Sequence, residues 1–236
     1  MHKTRLIIAV ACFALSLAFA ASPLFVQGFN GFDPAQFPVP QDEPPVQPAG
    51  YAFSIWGVIY LWLIIGLGWG LLRAPRDGQW HDMRVPLCLS LALGSGWLAV
   101  AVLSPLWAAA LIWLMLITAL VALFLAPVED RLWAAGPVGL YAGWLSAASC
   151  VSLGLLAAGY GVMSAQGAAL LFVSLAILLG LLVQAALGRV PTYGLAVIWG
   201  LAAIVVQNYQ SAPLIAGLAA IGALLVALPT LRAFRR

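Results

Sequence analysis

The sequence predicts an all-α integral membrane protein with eight transmembrane helices, and three observations predict it. Of its residues, 64% are hydrophobic and 7% charged, whereas a soluble domain needs roughly 25% charged residues to cover its surface. The apolar residues gather into segments near the ~20 residues that a helix needs to cross a bilayer, each parted from the next by a charge, a proline or a glycine. When eight spans are drawn through those segments, every Lys and Arg falls on one side of the membrane.

Taken in order, residues 6–26 follow the basic start Met1-His2-Lys3-Thr4-Arg5. Ala18-Phe19-Ala20 imitates a signal-peptidase site, yet the stretch is long enough to span, and we read it as a retained helix. Residues 28–50 are polar and carry Pro34, Pro38, Pro40, Pro44, Pro45 and Pro48. Proline removes backbone donors, so an extended or polyproline-like loop is expected there, either a lid over the bundle or a plain connector. The further apolar segments are residues 51–72, 85–103, 106–125, 132–160, 166–186, 193–206 and 212–231. Backbone groups in lipid must be satisfied internally, and membrane strands would be short and alternating, so these segments are expected to be helices.

The charge pattern orients the chain. One side holds Lys3 and Arg5, then Arg73, Arg76 and Arg84, then Arg131, then Arg189, and finally Arg232, Arg235 and Arg236; the other holds Asp33, Asp42 and Glu43. Positive charge collects on the inside of a membrane, so both termini are expected in the cytoplasm of a multi-pass inner-membrane protein. Basic residues scattered singly or in twos and threes report topology, and no nucleic-acid partner is expected.

Ionisable residues are expected only outside the spans, which disfavours proton relays, ion paths and intramembrane metal sites. Ser95 and Ser149 have no histidine or lysine at membrane depth to activate them. The chain is therefore expected not to be an enzyme, and to need no cofactor or metal. Cys12, Cys88 and Cys150 read as buried small hydrophobes.

What remains inside the membrane is aromatic and weakly polar. Among the ten tryptophans, Trp80, Trp107 and Trp133 read as anchors of helix ends at the headgroup level, whereas Trp97 and Trp144 fall nearer mid-span. Helical spacing places Phe53, Trp56 and Tyr60 on one face, Ser90, Gly94 and Trp97 on a second, and Tyr141, Trp144, Ala148 and Ser152 on a third. Each face fits either helix packing through small residues or the wall of a pocket. Gly66 and Gly70 form a G-x-x-x-G that suits a close helix approach.

The run Pro48-Ala49-Gly50-Tyr51-Ala52-Phe53-Ser54-Ile55-Trp56-Gly57-Val58-Ile59-Tyr60 resembles the start of the second helix in the TspO/MBR family, the tryptophan-rich sensory proteins related to the mitochondrial translocator protein. In that family a Trp is followed four residues later by Tyr, as are Trp56 and Tyr60 here. Its fifth helix has a Trp, then small residues, then an Asn eight positions on; Trp144, Ala147, Ala148 and Ser152 stand in those places. Its third helix has an Asn three residues before a Trp, where this chain has Gly94 and Trp97. The resemblance covers residues 1–160 and implies a five-helix bundle, with residues 161–236 as a three-helix extension.

The resemblance also implies non-covalent binding, and sensing or transport, of a hydrophobic ligand such as a porphyrin or haem-like tetrapyrrole. Carried over by position, Trp56, Tyr60, Trp97 and Trp144 would line the pocket, Ser152 would stand for the family's Asn, and Tyr51 and Phe53 would sit near the mouth; Tyr141, which shares the face of Trp144 by helical spacing, is expected beside them. The expected partners are the lipid bilayer and that small molecule, with a homodimer left open. The rival reading is a secondary transporter or exporter of a small neutral metabolite, which would call for an internal repeat.

Overall fold

A computed structural model describes residues 2–26 and 31–235; Met1, residues 27–30 at the start of the predicted loop, and Arg236 lie outside the described residues. Among the described residues, eight helices are long and apolar enough to cross a membrane. They are α1 (His2–Ala21), α2 (Ile55–Arg73), α3 (Gly78–Ala101), α4 (Pro105–Leu125), α5 (Gly136–Gly159), α6 (Ala165–Leu187), α7 (Pro191–Asn208) and α8 (Pro213–Phe234).

Their ends follow local chemistry. Asp77 caps α3 by accepting from the Trp80 amide at 2.9 Å, and Ser164 caps α6 by accepting from the Gly167 amide at 3.1 Å. Pro105, Pro191 and Pro213 open α4, α7 and α8, where a missing N–H costs nothing. Gly188 ends α6 with a left-handed φ of 60°.

α5 is the axis of the molecule. About 67% of its span is buried, against 28–50% for the other helices. The helices α2, α1, α3, α4 and α5 close a ring of five, each packing on the next and α5 packing back on α2. On its other side α5 closes a second ring with α6, α8 and α7. Lipid gives helices no hydrophobic reason to associate, so close backbone approach and interhelical hydrogen bonds must hold them. At Gly143 the place of a Cβ is taken by the Tyr193 carbonyl of α7, so only glycine permits this contact.

Hydroxyls complete the attachment. Ser90 of α3 donates to the Met115 carbonyl of α4 at 2.8 Å and so receives the Tyr141 hydroxyl of α5 at 2.9 Å. Ser146 of α5 likewise donates to the Ala142 carbonyl at 2.9 Å and receives the Tyr193 hydroxyl of α7 at 2.9 Å. The G-x-x-x-G of α2 also works within the chain. Gly66 lies against the Trp133 carbonyl and Gly70 against the Trp80 ring.

α3 corrects two expectations. It begins at Gly78 rather than residue 85, which draws Arg84 and Trp80 into the helix, both 1% exposed. Trp80 is therefore no headgroup anchor: its indole donates to Asp130 at 2.7 Å, and the Arg84 guanidinium lies 4.7 Å from its ring centroid. Arg84 also donates to the Ala74 carbonyl at 3.0 Å, beyond the last turn of α2. A cation that stacks on an indole and caps a helix can be buried without an ion pair. Trp107, 67% exposed, fits the anchoring role.

The described part of the proline-rich loop lies over the bundle. Val39 donates to the Gly159 carbonyl of α5 at 2.8 Å, Ala49 to the Ala203 carbonyl of α7 at 3.2 Å, and Asn208 of α7 to the Pro45 carbonyl at 2.9 Å. Phe37 and Val46 are buried against Gly159 and Gly154 of α5. A short 3₁₀ turn at Pro34–Gln36, capped by Asp33, is the loop's own regular structure.

Gly143→Leu is expected to push α7 off α5 and lower stability by ~1–3 kcal/mol, as overpacking does. Gly57→Leu, where a new Cβ meets nothing within 4 Å, should leave the thermal midpoint of the detergent-solubilised protein unchanged.

Candidate functional site

The ring of five encloses a cavity of about 410 Å³ in the half of the bundle nearest the loop. That volume lies within the ~300–1,000 Å³ typical of small-molecule sites. Its walls come from all five helices: Phe19 of α1, Trp56 and Tyr60 of α2, Gly94 and Trp97 of α3, Ile112 and Met115 of α4, and Trp144 and Ala148 of α5. Gly50, Tyr51, Phe53 and Ser54, in the 3₁₀ turn that opens α2, complete it together with Pro23 and Val26.

The rings lock one another. Trp56 and Tyr60, one turn apart, stack at 5.4 Å with planes 20° apart. Phe19 meets both edge-on, at 5.7 and 5.0 Å, and meets Tyr141 at 5.7 Å. Edge-to-face and offset stacks are the arrangements favoured by aromatic quadrupoles. Phe53 in turn stands edge-on to Trp144 at 6.0 Å. The 3₁₀ turn that carries Phe53 is held from α7, where the Trp199 indole donates to the Ala52 carbonyl at 3.0 Å.

Trp144 is the polar exception in this wall. It is 2% exposed, and its indole nitrogen is buried with no hydrogen-bond partner among the described residues. Its Cζ3 lies 3.8 Å from where a Gly200 Cβ would sit, so the benzo edge faces α7. By contrast the Trp97 indole donates to the Ala108 carbonyl at 2.8 Å. A buried N–H without an acceptor is costly.

Beyond Trp144 lies a second chamber of about 60 Å³, walled by α5, α6, α7 and the loop. Phe53, Trp97, Ile112, Trp144 and Ala148 serve both chambers, so the two share one wall.

Of the residues expected at the site, Tyr51, Phe53, Trp56, Tyr60, Trp97 and Trp144 come together around the ring cavity. Ser152 lines the second chamber instead, with its hydroxyl donated to the Ser149 carbonyl at 2.8 Å. Tyr141 lines neither; it is fully buried beneath Phe19 and Trp56, where it ties α5 to α3. Phe19 and the α4 residues Ile112 and Met115 also line the cavity without a sequence signal of their own: Phe19 sits inside the signal-like Ala-Phe-Ala, and Ile112 and Met115 lie in a uniformly apolar span.

The family described as TSPO-like protein matches residues 6–232. The chain belongs to the TSPO-like family. The TSPO-like match takes in α6, α7 and nearly all of α8 as well as the five-helix ring. Compared with curated proteins and with solved structures, the chain finds no match. Among the described residues, no group of three or more His, Cys, Asp or Glu side chains could hold a metal ion.

Tyr141→Phe removes a helix-to-helix hydrogen bond but no cavity wall. It should cost ~0.5–1.5 kcal/mol in thermal or denaturant unfolding and leave the affinity for a ring-cavity ligand unchanged.

Proposed function

We propose that this TSPO-like protein binds a flat, hydrophobic ligand of the tetrapyrrole class in the ring cavity, and that binding without covalent chemistry is its activity, serving to sense or move that ligand. The observation that carries the reading is the cavity itself: about 410 Å³, walled by interlocked Trp, Tyr and Phe rings. Flat rings gain from stacking on such walls. Membership of the TSPO-like family supports a ligand-binding or sensing role. In this reading the basic end of the bundle lies in the cytoplasm of an inner membrane, as its excess of Lys and Arg supports.

Among the described residues no charged side chain lines either chamber, and an unpaired carboxylate in such a site would be expensive. The ligand's carboxylates, where it has them, lie toward Tyr51 and Ser54 at the loop end. Protoporphyrin dimethyl ester should therefore bind at least as tightly as the free diacid.

The deciding experiment is a titration of the purified protein with protoporphyrin, read by the porphyrin's Soret band and by tryptophan quenching, beside a Trp56→Leu, Trp144→Leu double variant. Saturable binding that weakens ~tenfold or more in the variant, near 1.4 kcal/mol, is the expected result. Unchanged binding in a correctly folded variant would remove the ring cavity as the site.

Helix packing favours a second reading, a transporter of a small neutral solute. In α1–α4, α3 packs on both α1 and α4 while α2 packs on α1; in α5–α8, α7 packs on both α5 and α8 while α6 packs on α5, although α6 also packs closely on α8 and so closes a ring that α1–α4 leave open. Repeated units of this kind underlie many secondary transporters. Counterflow of labelled solute in proteoliposomes would support it, and strictly equilibrium binding would count against it.

A further inference from the structure

The three cysteines do not share one environment. Cys150 lies buried in α5, whereas Cys12 of α1 and Cys88 of α3 meet across the seam between those two helices. The Cys88 thiol donates to the Ile8 carbonyl at 3.9 Å, the carbonyl toward which an α-helix directs the Cys12 amide four residues on. The two thiols lie within hydrogen-bonding reach of each other. Cys12 is fully buried, while Cys88 is half-buried between the exposed Val85 and Leu89. Neither lines the ring cavity or the second chamber. One thiol is thus sheltered, and the other sits on the outer side of the bundle.

A cation attends the pair. Arg84 precedes Cys88 by one turn of α3, so the two share a face, and its charge acts on both thiols. Its Nη1 donates to the Ala74 carbonyl and its plane lies over the Trp80 ring, but Nε and Nη2 are buried with no hydrogen-bond partner among the described residues. The thiolate is the reactive form of cysteine, and a guanidinium nearby in surroundings that exclude water stabilises it. A cysteine that serves packing alone needs neither a second thiol nor an unspent cation.

We propose that Cys12 and Cys88 are a redox-active dithiol, oxidised by a small peroxide to a disulfide that joins α1 to α3. The Cys88 thiolate attacks one oxygen of hydrogen peroxide; the O–O bond breaks, the departing hydroxide takes up the proton Cys88 released and leaves as water, and Cys88 becomes a sulfenic acid. The Cys12 sulfur then attacks the Cys88 sulfur; the S–S bond forms as the S–O bond breaks, and the Cys12 proton leaves with the hydroxyl as a second water. The two sulfurs give up one electron each, and the peroxide accepts both. Arg84 holds the thiolate and takes no part in the bonds. The product pins α1 to α3 about two helical turns from Phe19 and Gly94, where the same helices meet at the wall of the ring cavity.

The test exposes the full-length protein, fully reduced and reconstituted in vesicles, to hydrogen peroxide and follows its thiols by peptide mass spectrometry. A peptide carrying Cys12 joined to one carrying Cys88 is expected, released again by a dithiol reductant, with Cys150 still a free thiol. In Cys12→Ser the reaction should stop at the Cys88 sulfenic acid, which dimedone traps. In Cys88→Ser, Cys12 should react at least ~tenfold more slowly than Cys88 does in the Cys12→Ser protein. Arg84→Gln added to Cys12→Ser should slow dimedone labelling at least ~tenfold, and Arg84→Lys, which keeps the charge, should restore most of it. Where Arg84→Gln fails to fold, the two cysteine variants decide. Oxidation of all three cysteines at one rate, a bond between the Cys88 residues of two copies, or a pair that stays reduced under ~1 mM peroxide would overturn the proposal. None of these readouts depends on a ligand in the ring cavity.

Discussion

Helix association in lipid gains nothing from moving apolar surface out of water, so this protein depends on how closely other backbones can approach α5. Gly143 admits the Tyr193 carbonyl, Gly154 and Gly159 admit the loop, and Tyr141 and Ser146 carry hydrogen bonds outward to α3 and α7. Each contact is short-ranged and directional. Together they fix α5 on both sides, and α5 in turn holds Trp144 at the boundary between two chambers.

The site is built almost without electrostatics. Cations stay at the basic end, where they cap helices: Arg84 reaches the Ala74 carbonyl, and Arg189 reaches the Phe124 and Ala126 carbonyls at the end of α4, both at 3.2 Å. At the loop end the walls are rings. A ligand held there would be selected by shape and stacking.

Much of this was legible in the chain. Eight spans follow from segment length and charge, and the membrane solvent leaves helices as the natural backbone. The Trp56–Tyr60 pair was legible because one helical turn brings two rings together. Tyr141 was misleading for a physical reason: spacing places it on the face of Trp144, but face alone does not say whether a ring meets empty space or another helix, and here it meets Ser90. Arg84 and Trp80 were misplaced because seven polar or mixed residues, 78–84, extend α3 below its apolar segment once Asp77 caps it. The second chamber had no sequence signal, since the small residues that leave room for it, Ala147, Ala148, Ala176 and Gly200, come from three helices whose adjacency is a tertiary fact.

The central place of α5 has a consequence for how the protein is made. α2 and α4 both pack on α5, which closes the ring between them. A ribosome that has inserted only the first four helices has made an open arc, with Trp56, Tyr60 and Met115 facing the gap where α5 will stand. Neither ring of helices can close until the fifth span enters the membrane. The chain therefore passes through a stage in which its future cavity wall is open to lipid, and the same glycines that later seat α7 and the loop belong to the segment that ends that stage.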